Sequence, residues 1–189
     1  MIIQEDTRQK PSKNADIRKQ IEALGHTVRR FGMLCGDYQI FGKGDIVIDT
    51  KQDMNEVYSN VITDHERFAN EARLAREAGI RLIILVTDPG VSSIEEVRQW
   101  KNPRRERWFM VRAMQRKGKM LTVKQSKTPP CASDRLQKAM VSMTLRYGIT
   151  WLFCKRENVG AEIIRLLTEE YSNDFGQRTT HRVCDRQCS

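Results

Sequence analysis

An α/β fold, with a mixed central sheet wrapped by helices, is what the 189 residues predict, and three observations carry the prediction. Segments with helical spacing alternate along the chain with short β-type runs. One run, "RLIILVTD" at 81–88, is continuously apolar from Leu82 to Val86, as in a strand covered on both faces. Two further β-type runs flank "GKGD" at 42–45, a turn of the kind that closes a hairpin.

The elements follow in chain order. "NADIRKQIEALG" at 14–25 spaces Ile17, Ile21 and Leu24 as a short amphipathic helix, with Asn14 as its cap and Gly25 as its stop. A strand comes next, then the hairpin, which pairs 38–41 with 46–51. "MNEVYSNVITDHERFANEARLAREAG" at 54–79 places Val57, Val61, Phe68, Ala72 and Ala75 along a long helix with a break expected near Thr63 and Asp64. The buried strand at 81–88 follows. Beyond Pro89 the pattern is hard to read through a basic, tryptophan-containing segment, until "KTPPCASD" at 127–134 marks a loop. Residues 134–147 read as a helix with Met140, Met143 and Tyr147 in its core stripe, 149–154 as a strand, and 157–171 as a last helix. The polar residues after 172 are expected to form a loose tail.

Composition narrows the classes. Apolar residues at 39 % and charged residues at 30 % describe a globular chain long enough for one real core. No window approaches the roughly 18 to 20 apolar residues that a membrane span needs, and "MIIQEDTRQKPSK" has no apolar core of a secretory leader. An intracellular, cytoplasmic setting and no membrane partner are therefore expected. Five cysteines at irregular spacing suit reduced thiols, with Cys35 and Cys154 as small core residues. His181, Cys184 and Cys188 would share a helical face, but three ligands leave a zinc site short of a fourth.

The net charge of +9 is concentrated. Residues 98–127 hold eleven Lys or Arg against the single acid Glu106, so this segment alone carries +10. Trp100, Trp108 and Phe109 lie among those cations, a mixture suited to a phosphate backbone flanked by stackable bases. Nucleic acid is the expected partner, with Lys101, Arg104, Arg105, Arg107, Arg112, Arg116, Lys117 and Lys119 as the binding residues.

The chemistry gathers at the end of the second hairpin strand, "GDIVIDTKQD" at 44–53. Side chains alternate across a strand, so Val47, Asp49 and Lys51 share one face. If the hairpin is antiparallel, Asp37 lies beside Asp49 and Lys51. Two close carboxylates repel and tend to take up protons unless a divalent cation sits between them. Mg²⁺ takes one or two protein carboxylates and leaves room for phosphate oxygens, and a nearby lysine can orient a nucleophile or neutralise developing charge. Taken alone the D-x-K spacing also fits a surface ion pair at a strand end. The chain has no phosphate-loop, nucleophile-elbow, zinc-protease or dinucleotide motif.

"GDY" at 36–38 followed by "VIDTK" at 47–51 resembles the GD…ERK signature of the XPF-type structure-specific endonucleases, a branch of the PD-(D/E)xK superfamily. "EDTRQ" at 5–9 is similar to that family's D-x-R-E, with Asp6 and Arg8 kept and Gln9 in place of the acid. "DHERFANE" at 64–71 is similar to its D-G-R-x-x-x-Q helix, with Arg67 matching the arginine and Asn70 or Glu71 near the glutamine. The resemblance covers about residues 1 to 90. Its departures are the shortened acid Asp49, Thr50 in place of the middle arginine, and Asn55 in place of the acid four residues past the lysine, with Asp53 and Glu56 nearby.

The resemblance implies a restriction-endonuclease-like fold, with a nuclease domain over 1–172, a basic insertion at about 91–130 and a tail at 173–189. It implies Asp37 and Asp49 as metal ligands for Mg²⁺ or Mn²⁺, Lys51 as the catalytic lysine, Asp6 as a further acid and Arg67 as a phosphate holder. The expected activity is metal-dependent cleavage of branched, flapped or otherwise structured DNA. A catalytically silent binding module and a sequence-specific restriction-like enzyme are the alternatives, and a homodimer is left open. No room is expected for the helix-hairpin-helix module of cellular members, a compactness that suits a phage or mobile-element protein.

Overall fold

A computed structural model describes residues 1–118 and 126–168 of the chain. Six strands form one mixed sheet: β1 (Ile2–Asp6), β2 (Thr27–Phe31), β3 (Tyr38–Ile40), β4 (Ile46–Lys51), β5 (Arg81–Val86) and β6 (Thr150–Phe153), in the order β2-β1-β3-β4-β5-β6. β1 pairs parallel with β2 and antiparallel with β3; β3 pairs antiparallel with β4; β4, β5 and β6 run parallel. The predicted hairpin is therefore β3–β4. β1 was not among the elements read from the sequence, yet it is flanked on both sides.

Helices cover both faces. Alternation on β4 and β5 sends Val47, Leu82, Ile84 and Val86 to one side, where α2 (Met54–Tyr58), α3 (His65–Glu77) and α5 (Ser133–Tyr147) bury Val57, Phe68, Ala72, Leu136 and Met140 against them. It sends Ile48, Ile83 and Leu85 to the other, where α1 (Ala15–Ala23) and α6 (Val159–Thr168) supply Ile17, Ile21, Val159, Ile163 and Leu166. Where α6 crosses α1, a Cβ on Gly160 would lie 2.5 Å from the Cβ of Gln20, so only glycine allows the approach.

Local details correct the sequence reading. The long helix breaks at Asp64, as expected, and its first part divides further into α2 and a π-helical turn over Ser59–Thr63 before α3. Asn14 is buried but makes no side-chain cap bond to α1. The last helix starts at Val159 after a 3₁₀ turn over Arg156–Asn158. The segment that resisted reading contains a 3₁₀ turn over Glu96–Gln99 and a fourteen-residue helix, α4 (Pro103–Arg116), capped by the Asn102 side chain, which accepts from the backbone NH of Arg104. Cys35 is buried and Cys154 half-buried. Lys119, Lys124, the end of the last helix at Tyr171, the tail, and His181, Cys184 and Cys188 lie outside the described residues. No helix among the described residues is long and apolar enough to cross a membrane.

Candidate active site

Register places the acids. Tyr38 stands opposite both Glu5 and Ile48, so the preceding residue, Asp37, is level with Asp6 on one neighbour and Asp49 on the other. The backbone NH of Asp6 donates to the Asp37 carbonyl at 2.9 Å, and that of Asp37 donates to the Ile48 carbonyl at 2.8 Å. Three aspartates thus form a row across the ends of β1, β3 and β4. Asp6, Asp37, Asp49 and Lys51 are 2 %, 2 %, 4 % and 7 % exposed, nearly dry for charged groups.

Gly36 allows the row to form. It adopts φ +63°, and a Cβ there would sit 2.4 Å from Val47 Cγ1 and 3.1 Å from the Ile48 carbonyl oxygen. Its NH donates to Glu71 Oε1 at 3.0 Å, which ties the start of β3 to α3.

Each carboxylate has a distinct setting. Asp37 Oδ2 accepts from the NH and hydroxyl of Thr50, at 2.9 and 2.6 Å, while its Oδ1 accepts from Gln9 Nε2 at 2.6 Å. Asp49 meets Lys51 Nζ at 2.8 Å through Oδ1 and 2.7 Å through Oδ2. Asp6 turns to Arg8, whose Nε donates at 2.5 Å. Burial and then repulsion from Asp49 push Asp37 up to about 6, and Lys51 and Thr50 only partly offset them. Burial raises Asp49 as well, against the pull of Lys51. Burial alone would lower Lys51, but Asp49 and Asp37 outweigh it and hold its pKa above the ordinary value.

These side chains line a polar cleft of about 250 Å³. All five residues expected to carry catalysis, Asp6, Asp37, Asp49, Lys51 and Arg67, border it. Arg67 is exposed at the rim and donates to Asn60 Oδ1 at 3.3 Å. Of Asn70 and Glu71, which lie three and four residues past Arg67 on the helix, Glu71 is the one that lines the cleft. Glu56, Asn60, Arg8 and Gln9 also line it. Asn60 escaped the sequence reading, whereas Glu56 lies near the place of the family's acid past Lys51. Glu56 is already engaged by Lys13 Nζ at 2.7 Å and the Gln52 NH at 2.9 Å.

The donor set fits a small hard cation. Two buried carboxylates repel beside a polar hollow, and Mg²⁺ asks for only one or two such ligands. Among the described residues no group of three or more His, Cys, Asp or Glu is placed to hold a metal, consistent with Asp6 being turned to Arg8.

The basic residues divide. Arg104 donates to Ser59 Oγ at 2.8 Å and lies over the Tyr58 ring; Arg105 donates to the Pro130 carbonyl at 2.6 Å and lies over Phe109; Arg112 lies over Trp108. These three brace α4. Lys101, Arg107, Arg116 and Lys117 are exposed.

A mixed six-stranded sheet covered by helices on both faces, with an acidic row and a lysine at its strand ends, defines an α/β fold. Its solved counterparts include XPF from Aeropyrum pernix, with a TM-score of 0.56 and 17 % identity over 88 % of this chain, and XPF from Aeropyrum pernix in complex with DNA, with a TM-score of 0.54 and 19 % identity over 88 %. The chain shares the XPF-type fold and spans 63 % and 62 % of the length of those two chains. No protein-family model and no curated protein matches the sequence.

Proposed function

We propose that the chain is a metal-dependent endonuclease that hydrolyses phosphodiester bonds in branched, flapped or otherwise structured DNA, with Mg²⁺ or Mn²⁺ as its cofactor. The observation that carries this reading is the convergence of Asp37, Asp49 and Lys51 in one polar cleft at adjacent strand ends. Asp37 and Asp49 are the side chains that would hold the ion. When bound, such an ion polarises a phosphoryl oxygen and lowers the pKa of a water molecule. Lys51, kept charged by its two aspartates, neutralises negative charge that builds on the phosphoryl oxygens. Arg67 at the rim holds a neighbouring phosphate. Asp6 acts through Arg8, fixing its guanidinium at the cleft edge, and is therefore a positioning residue.

The DNA complex of the XPF counterpart supports a nucleic-acid partner, and the exposed cations of α4 suit a phosphate backbone. The preference for structured DNA rests on the family resemblance. A second reading, a silent DNA-binding module, is favoured by the prior engagement of both Asp37 oxygens and both Asp49 oxygens by neighbours. Purified protein with Mg²⁺ or Mn²⁺ and a forked or flapped duplex separates the two. The nuclease reading expects nicking that stops in EDTA and in Asp49→Ala, with binding kept. Binding without nicking under either ion would leave only the silent module, and cleavage confined to one sequence in plain duplex would point to a restriction-like enzyme.

A further inference from the structure

A second hollow, of about 440 Å³, opens between the N-terminal ends of α4 and α5, and it is larger than the carboxylate cleft. Its size is in the range of small-ligand sites rather than of single trapped waters. Two rings, Trp100 and Phe109, and three cations, Arg98, Lys101 and Arg105, line it. Phe109 is 49 % exposed but fixed in place: Arg105 lies over its ring at 5.0 Å and Trp108 meets it edge-on at 5.1 Å. Trp100 packs 6.3 Å from Tyr58, and its carbonyl accepts from the Ser133 hydroxyl. Pre-fixed rings lose little freedom when a flat ligand stacks on them.

Chemistry restricts the ligand. Three cations call for an anion, the rings call for a planar apolar body, and Glu106 and Asp134 at the same hollow call for N–H donors on the ligand's edge. A nucleotide whose base is free of its stack has all three. A paired base in duplex DNA offers no exposed ring face.

The hollow adjoins the cleft. Arg104, next to Arg105, reaches Ser59 Oγ and covers Tyr58, Tyr58 packs on Trp100, and the following Asn60 lines the cleft. The segment 58–60 thus connects the two, through Tyr58 against Trp100 at one end and Asn60 in the cleft at the other.

We propose that the α4–α5 hollow is a binding site for an unpaired nucleotide, stacking its base on Phe109 and Trp100 while Arg98 and Lys101 hold its phosphate. The role of that nucleotide as part of a strand leading into the cleft rests on the nuclease reading; the site itself does not. Fluorescence anisotropy of the full chain in EDTA, with a labelled twelve-nucleotide single strand and a blunt duplex, tests the site. Phe109→Leu, which keeps apolar bulk and loses the ring, is expected to weaken single-strand binding about tenfold and duplex binding less than about twofold, with Phe109→Trp close to wild type. Arg98→Glu with Lys101→Glu should lower the single-strand salt slope by about 0.7. Equal losses on both nucleic acids, or no loss with Phe109→Leu, overturn the site. Nicking of a forked duplex together with an unaffected Phe109→Leu would remove the site and keep the nuclease. Single-strand binding that depends on Phe109, without nicking, would keep the site and remove the nuclease.

Discussion

Replacing Asp37 by Asn should make the metal-free protein more stable, because it removes a buried charge while keeping the shape. The amide oxygen can still accept from the NH and hydroxyl of Thr50, and the amide NH₂ can donate to Gln9 once that side chain turns over. The carboxyl of Asp37 is raised from an ordinary 3.8 to about 6, so the folded state favours the protonated form. At about 1.4 kcal/mol per tenfold in proton affinity, that interval corresponds to about 3 kcal/mol. The sign follows: the folded chain binds the proton more tightly than the unfolded one, so stability falls as pH rises from about 4 to about 6 and the full penalty is present above that window. In EDTA at pH 8, Asp37→Asn should therefore melt roughly 6 to 12 °C higher than wild type, and the gap should close by about pH 4. Melting followed by circular dichroism across that range measures it. A variant less stable than wild type by the same amount at every pH would refute a repelled buried charge. Mn²⁺ titrated at pH 8 should raise the melting temperature of wild type much more than that of the variant.

Other perturbations follow from the same geometry. Lys51→Met leaves Asp49 and Asp37 without their cation and should lower unfolding free energy at pH 8 by about 3 to 5 kcal/mol in urea titration, with much of the loss recovered by adding Asp49→Asn. Gly36→Ala forces an L side chain into φ +63° against Val47 and should destabilise by about 2 kcal/mol or more; a wild-type urea midpoint would contradict the close approach. Reversing Arg107, Arg116 and Lys117 to Glu should reduce the duplex salt slope by about 2.7 with little change in melting. Arg105→Ala, by contrast, should lower the melting temperature, since its guanidinium holds the Pro130 carbonyl and the Phe109 ring.

The pairing of Asp37 with Asp49 and Lys51 was legible because strand alternation and a glycine turn are both local. Asp6 was not legible by those rules. β1 is five residues long, and its Glu5 is fully buried, a charge that becomes tolerable only through Arg18 at 2.8 Å and Arg30 at 3.8 Å from distant elements. Only the resemblance located Asp6. α4 was unreadable for the opposite reason: Val111 is its single buried residue, and cations crowd the narrow apolar face around it. Its Asn102–Pro103 start was a usable cue. Asn60 was hidden because it sits in the π-helical turn, which breaks the regular helical spacing.

The clasp of α6 on α1 has a consequence for synthesis on the ribosome. Asp6, Asp37 and Asp49 are all translated by residue 49, yet Ile3, Tyr38 and Ile48 beneath them acquire their cover from Ile163 and Leu166 only when the end of α6 emerges. At typical elongation speeds that delay is on the order of ten seconds, during which the nascent strands carry an apolar face covered by α1 alone. A chaperone that shelters nascent chains therefore has a defined window in which to act, and it closes when α6 docks.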